Sequence, residues 1–218
     1  MAKLYVSNKD ESARLFQSSF LEVFTHVHWS VPIIMYVPVI TYFLVRAAQT
    51  PSMGLWTGVA LFAFGIFIWT LTEYLLHRFV FHYEPSSSWG KRLHFLRHGV
   101  HHDYPNDSKR LVMPPVVSIP LALLFYGLFL ALLGQALIPP FFAGFLVGYV
   151  FYDTIHYATH HAPMKSGIWL WIKHHHVRHH YQDNHKGFGV SSPLWDYVFA
   201  TTMREEPDAA TERASSSS

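Results

Sequence analysis

A chain of 218 residues with a formal net charge of +2 and no cysteine excludes several classes of protein at once. So small a charge leaves no electrostatic footprint for nucleic acid, and without thiols there are no disulfides, thiolate zinc sites or cysteine-ligated iron–sulfur clusters. Half of the residues are apolar and only 14% are charged, with 18 Phe, 12 Tyr and 7 Trp, a balance suited to lipid rather than water.

Residues 1–28 hold Asp10, Glu11 and Glu22 and lack a basic start followed by an apolar run, so no signal peptide is visible. Within them, Leu15, Phe16, Phe20, Leu21 and Phe24 recur on a roughly helical pattern over 8–24. The pattern predicts an amphipathic segment lying on a membrane surface; a plain N-terminal helix fits it equally. Four apolar stretches follow, at 29–45, 55–76, 116–133 and 137–153. Each approaches the roughly 20 residues needed to cross a hydrocarbon core of about 30 Å. Pro32 and Pro38 lie in the first, while Pro139 and Pro140 open the last, where the first helical turn tolerates proline. Four buried helices of a soluble protein would need more polar chain to cover them. The organisation is one all-α, integral membrane domain over 29–202, with four transmembrane helices and a cytosolic helical cap. The acidic, then Ser-rich stretch 203–218 reads as a disordered tail.

Lys and Arg orient the spans. Lys3, Lys9 and Arg14 precede the first, six basic residues lie between the second and third, six follow the fourth, and Arg46 alone falls on the other side. By the positive-inside rule the N-terminus, middle loop and C-terminal segment are cytoplasmic.

All of the histidines then fall on the cytoplasmic side. There are 17, and ten form four clusters: His77 and His82; His98, His101 and His102; His156 and His160; and His176, His179 and His180. Residues three and four apart share a helix face, so such rings can aim at a common point. Imidazole is largely neutral near pH 7 and needs no deprotonation to bind a cation. His77 and His82 are five apart, a rotation of roughly 140° on an α-helix, so they straddle a helix end or serve different metals. Ten imidazoles over two metal ions give five each, more than closed tetrahedral zinc takes. That count favours iron with an exchangeable position, although imidazole also suits zinc, copper and nickel.

The second and fourth apolar runs end within about two turns of ligands, His77 following Glu73 and His156 following Asp153, which sets the metals just beneath the membrane surface, within reach of a lipid whose tail stays in the bilayer. Tyr149, Asp153, His156 and His160 follow one helical stripe. Asp153 is thereby the candidate carboxylate partner of a metal-bound imidazole, and Tyr149 and Tyr152 are candidate substrate contacts or interfacial anchors. Two irons beside lipid point to dioxygen as co-substrate and attack on an unactivated C–H bond, chemistry that side chains cannot supply. Neither a dinucleotide fingerprint nor a haem-attachment motif is present, so electrons come from a separate donor. His94, His161, His174 and His175 flank the clusters, and His26, His28 and His185 read as surface or interface residues. A transporter would place ionisable groups at span midplanes, which here are uncharged. A non-catalytic, zinc-stabilised membrane protein is the competing class.

The words joining the clusters are specific. E-Y-L-L-H-R-F-V-F-H (73–82), H-F-L-R-H-G-V-H-H-D-Y-P-N-D (94–107), R-L-V-M-P-P (110–115), G-Y-V-F-Y-D-T-I-H-Y-A-T-H-H (148–161), and H-H-H-V-R-H-H-Y (174–181) followed by G-F-G-V-S-S-P-L-W-D (187–196) resemble the fatty acid 2-hydroxylase family. The likeness runs from about residue 20 to 202. It implies hydroxylation at C2 of a long acyl chain, in ceramide or a related sphingolipid, at a dimetal centre using dioxygen. It also implies that the ten clustered histidines are the ligands, with iron as the working metal and zinc able to occupy the site. Relatives often carry an N-terminal cytochrome b5 domain; none is evident here, which implies cytochrome b5 or another reductase chain as a separate partner. Sterol, carotenoid and acyl desaturase-type oxygenases share the clusters but few of the intervening words. The membrane would be a bacterial inner membrane or the endoplasmic reticulum.

Overall fold

The computed structural model describes residues 4–203, so Lys3 and all but the first residue of the 203–218 tail lie outside the described residues. Every regular element among them is helical: α1 (Ser19–Val23), α2 (Val31–Ala48), α3 (Leu55–Leu76), α4 (Ser88–His94), α5 (Val100–Asp103), α6 (Pro115–His161), α7 (Gly167–Tyr181) and α8 (Leu194–Val198). Two π-helical turns, His77–Phe81 and Phe95–Gly99, continue α3 and α4.

Three helices, α2, α3 with its π-turn, and α6, are long and apolar enough to cross a membrane. The 47 residues of α6 do not run straight: Gly134 has φ 74° and ψ 172°, outside the helical region. Phe125 meets Phe145 with ring centroids 5.2 Å apart, and Phe129 meets Phe141 at 4.8 Å. On a straight helix, residues 20 apart would be separated by about 30 Å. The chain therefore doubles back at Gly134, a conformation that favours glycine, and α6 is an antiparallel hairpin of two limbs. These limbs correspond to the stretches expected at 116–133 and 137–153. Pro139 and Pro140 sit in the first turns of the second limb.

The second limb packs into the middle of the bundle. Tyr36 and Ile40 of α2 and Trp69 of α3 pack with Phe141, Phe142, Phe145, Leu146 and Tyr149 in one buried cluster. Close approach depends on missing side chains. A Cβ at Gly65 would stand 2.0 Å from the Phe141 carbonyl oxygen, and one at Gly144 would stand 1.9 Å from that of Phe62. Small residues let helix backbones approach this way in lipid, where packing contacts rather than water exclusion drive association. The opposite faces carry bare apolar side chains, with Leu55 75% and Trp56 80% exposed, a surface that suits acyl chains and not water.

The N-terminal segment departs from its helical pattern. Only Ser19–Val23 is helical, and much of the rest is tied down in irregular form by polar partners. Glu22 accepts from the backbone N–H groups of Leu15 and Phe16 at 3.0 and 2.8 Å and pairs with Arg110 at 2.6 Å. Arg92 donates to the Leu15 carbonyl. Spacing of apolar residues gave no hint of these long-range anchors, which replace the helix's own hydrogen bonds.

Candidate metal centre

At one end of the bundle, α3, α6 and the cap deliver ten imidazoles into two groups of five. His77, His82, His98, His102 and His179 form one; His101, His156, His160, His176 and His180 form the other. Within each group the facing ring nitrogens all lie within 4.8 Å of one another. The groups adjoin, with the His102 and His180 rings 4.3 Å apart.

Helical geometry explains the sorting. In each H-x-x-H-H cluster the residues four apart, His98 with His102 and His176 with His180, serve one group. The intervening third-position residues, His101 and His179, serve the other. Positions i+3 and i+4 differ by about 100° around the axis, so a single helix borders both groups and ties them together. His156 and His160, also four apart, complete the second group.

His77 and His82 resolve differently. The π-turn replaces the α-helical pattern with an i→i+5 hydrogen bond, His82 N–H to the His77 carbonyl at 3.0 Å. This brings residue 82 over residue 77, and their Nε2 atoms come within 3.2 Å. The pair does sit at a helix end, but both rings join one group rather than serving different metals. π-Turns are frequent at functional sites because they displace one residue without ending the helix.

The donor set fits metal ions. Nε2 atoms of His77 and His98 approach to 3.0 Å, His98 and His102 to 3.1 Å, His82 and His179 to 3.0 Å, and His101 and His156 to 2.9 Å. Ligands about 2.0–2.1 Å from a shared ion at near-right angles are separated by about 3 Å. In the first group two of the outer ring nitrogens are engaged: Nδ1–H of His77 donates to the Phe188 carbonyl and that of His179 to the Lys186 carbonyl, both at 2.6 Å. That tautomer leaves the Nε2 lone pairs of both residues facing inward, where they repel unless a cation lies between them. In the second group Nδ1 of His156, His176 and His180 is buried without a partner.

Burial, followed by repulsion among the rings, keeps the cap imidazoles neutral. Desolvation and then neighbouring rings hold His98, His101, His176, His179 and His180 well below their ordinary range, and His102 is pushed down to about 3. His82 shifts the same way for the same reasons.

Two carboxylates position the loop that orients the first group. Glu73, buried on α3, accepts from the backbone N–H groups of Val190 and Ser191, each at 2.7 Å, and from the Ser191 hydroxyl. Asp196 accepts from the N–H groups of Phe188 at 2.9 Å and Gly189 at 2.7 Å, from the Thr201 hydroxyl at 2.7 Å and from His175 Nε2 at 3.0 Å. These donors hold the Asp196 carboxyl below its usual value against the opposing effect of burial. The loop so fixed presents the Phe188 carbonyl to His77. Spacing along the sequence gave Glu73 and Asp196 no such role, because their partners are backbone N–H groups that leave no residue-type signature.

Asp153 differs from its expected part. Its carboxylate accepts from the Met113 N–H at 3.2 and 3.3 Å rather than from an imidazole, so it joins the start of the α6 hairpin to its far end. Tyr152, Asp153 and His156 line a mostly apolar cavity of about 650 Å³, together with His98, His101, Met113 and Arg97. Tyr149 is not part of that lining. It packs edge-on to Tyr36 and Trp69, at centroid distances of 5.0 and 5.3 Å. Of the histidines outside the clusters, His175 meets Asp196, His26 meets Arg110 at 2.9 Å, and His28 and His185 are exposed.

Regular structure that is helical throughout the described residues, helices of membrane length and a histidine cage able to hold metal ions together define a class of membrane metalloprotein. Within it, a family model described as fatty acid hydroxylase matches residues 62–201, and the chain belongs to that family. It is 43% identical to dihydroceramide fatty acyl 2-hydroxylase FAH1 of Arabidopsis thaliana, over 88% of this chain and 80% of the plant protein. Identity is 40% to the fatty acid 2-hydroxylase of Rattus norvegicus, over 89% of this chain and 58% of the rat protein. It is 42% to the ceramide very long chain fatty acid hydroxylase SCS7 of Saccharomyces cerevisiae, over 91% and 51% respectively. A solved structure of full-length scs7p, with only the hydroxylase domain visible, superposes with a TM-score of 0.81 at 41% identity, covering 88% of this chain and 72% of that one.

Proposed function

We propose that this chain is a membrane fatty acid 2-hydroxylase, placing a hydroxyl group at C2 of a long acyl chain carried in ceramide or a related sphingolipid. The observation that carries the reading is the pair of five-histidine groups at one end of the bundle, beside an apolar cavity lined by His98, His101 and His156; the activities named for the relatives point the same way.

The ten histidines are assigned as ligands of two metal ions, iron in the working enzyme with zinc able to occupy the site. Two irons held there would supply activation of dioxygen, one atom of which enters the C2–H bond while the other leaves as water with two electrons and two protons. The electrons come from a separate donor, cytochrome b5 or another reductase chain. The protein's own part is placement. Apolar walls align the acyl chain and keep water from the reacting carbon. Tyr152 and Asp153, on the cavity wall beside His156, contact the polar end of the substrate, and Tyr149 one turn away holds this face of the helix against Trp69. Four spans, α2, α3 and the two limbs of α6, cross the bilayer, with the cap and metals on the cytoplasmic side of a bacterial inner membrane or the endoplasmic reticulum. Lys and Arg counts support that orientation.

Expression in a host that makes ceramides, with mass spectrometry of acyl chains, tests the proposal. The expected result is 2-hydroxylated chains from the wild type and none from His102→Ala or His180→Ala. Desaturated or differently placed products, or undiminished product from both variants, would overturn it.

A further inference from the structure

The aromatic rings that touch the two histidine groups differ in kind. Among the described residues, those around the first group are phenylalanines: Phe81 lies against His98 at a centroid distance of 5.4 Å, and Phe188 against His77 and His82 at 5.8 and 5.4 Å. Around the second group they are tyrosines, with Tyr152 stacked on His156 at 5.9 Å and Tyr181 beside His180 at 6.3 Å. A phenyl ring resists one-electron oxidation, whereas phenol and indole rings yield an electron to an oxidant strong enough to attack an unactivated C–H bond. From Tyr152 a continuous run of such rings leads away from the ligand into the bundle. Tyr152 meets Trp69 at 5.8 Å, Trp69 meets Tyr149 at 5.3 Å, and all three are buried. The Trp69 indole N–H is directed at the Glu73 carboxylate and the Tyr149 hydroxyl at that of Asp153, in neither case with hydrogen-bond geometry, so both polar atoms are buried without a partner. Phenylalanine at 69 and 149 would supply apolar packing without that penalty. The oxidisable rings thus carry a cost that packing does not explain.

We propose that Trp69 and Tyr149 are a protective reductant pair, reached through Tyr152, that discharges the second histidine group when dioxygen is activated there with no acyl chain in place. This rests on the hydroxylase reading, which supplies the oxidant. Insertion of oxygen into a C–H bond consumes two oxidising equivalents, and the two rings together supply two electrons. Tyr152 passes each electron on: it loses an electron and its phenol proton to the cavity, then regains the electron from Trp69 and a proton from the cavity. The first electron comes from Trp69, whose indole proton goes to Glu73, leaving a neutral tryptophanyl radical. The second comes from Tyr149 by way of Trp69, and the Tyr149 hydroxyl proton goes to Asp153, leaving a neutral tyrosyl radical. The oxygen atom that no C–H bond receives takes the two electrons, and with two protons from solvent leaves as water. Two electrons from the separate donor later restore both rings, and the two carboxyl groups return the protons.

The test is electron paramagnetic resonance on the purified full-length chain, loaded with iron, reduced with dithionite and frozen after mixing with oxygenated buffer in the absence of lipid. The expected spectrum holds an organic radical whose components narrow when ring-deuterated tryptophan and ring-deuterated tyrosine are incorporated. Trp69→Phe should abolish the tryptophanyl component, and Tyr149→Phe should abolish the tyrosyl component while sparing the other. Peptide mass spectrometry should find oxidation moved from Trp69 to the liganding histidines in Trp69→Phe, a shift that loss of packing alone does not produce. Unchanged metal content in both variants shows that the cage is intact; should either fail to fold, the labelled spectra of the wild type decide alone. A spectrum unchanged by Trp69→Phe, or a radical that Tyr181→Phe abolishes, would overturn the route. Hydroxylated ceramide in the host assay with no radical in the wild type would strike this pair alone. Absence of both would strike the hydroxylase reading and the pair together.

Discussion

The two histidine groups are equal in number but built by different means. The second, His101, His156, His160, His176 and His180, takes four of its five members from i,i+4 pairs on α6 and α7. Ordinary helical periodicity is enough to assemble it. The first requires a π-turn to align His77 with His82, and a loop pinned by Glu73 and Asp196 to orient His77 through the Phe188 carbonyl. One group thus draws its geometry from local structure and the other from tertiary anchors. Damage to the anchors should fall on one group and spare the other.

The largest contrast is expected from the ligands themselves. His82→Ala and His160→Ala should each lower metal content from two ions per chain to about one, measured by elemental analysis, and reduce acyl hydroxylation at least 100-fold. Retention of two ions in either variant would break the assignment of that residue to its group.

Glu73→Ala sharpens the comparison without touching a ligand. It strands two backbone N–H groups and a hydroxyl in a buried site, at a cost of roughly 1–3 kcal/mol for each unsatisfied group. Metal should be lost from the first group while the second keeps its ion, and Glu73→Gln should recover part of the loss. Equal loss from both groups would mean that the loop supports the whole cap.

A change in the bundle should act evenly. Adding a methyl group in Gly144→Ala meets the Phe62 carbonyl, and overpacking of this kind typically costs about 1–3 kcal/mol. The melting temperature in detergent should drop, with both groups losing metal together.

Acidity gives the most gradual effect. His102 titrates near 3 in the fold, whereas its ordinary value is 6.5, so the unfolded chain binds protons that the folded chain refuses. Stability of the metal-free protein is therefore fully present above about pH 6.5 and declines progressively as pH falls toward 3. Metal release in mild acid is expected as well, because protons compete with metal for the imidazole ligands. A melting temperature that stays level between pH 7.5 and 4.5 would contradict neutral burial of the rings.

Much of this architecture can be read before folding. The hydrophobic stretches mark the limbs because length against bilayer thickness is a one-dimensional quantity, and Gly134 falls in the gap between the last two. The ten histidines and their helical spacing are equally local. Less legible are features made by distant backbone. The His77–His82 spacing looks awkward on an α-helix and resolves only through the π-turn. Asp153 lies on the ligand stripe, yet bonds Met113, 40 residues away. Glu73 and Asp196 act on N–H groups, which every residue but proline carries.

The assembly of two five-histidine cages is tested most directly by X-ray absorption spectroscopy on the purified, metal-loaded chain, combined with metal counting. Two ions per chain, each surrounded mainly by imidazole nitrogen at about 2.0–2.2 Å, is the result expected. A single ion, or a shell dominated by oxygen, would contradict it.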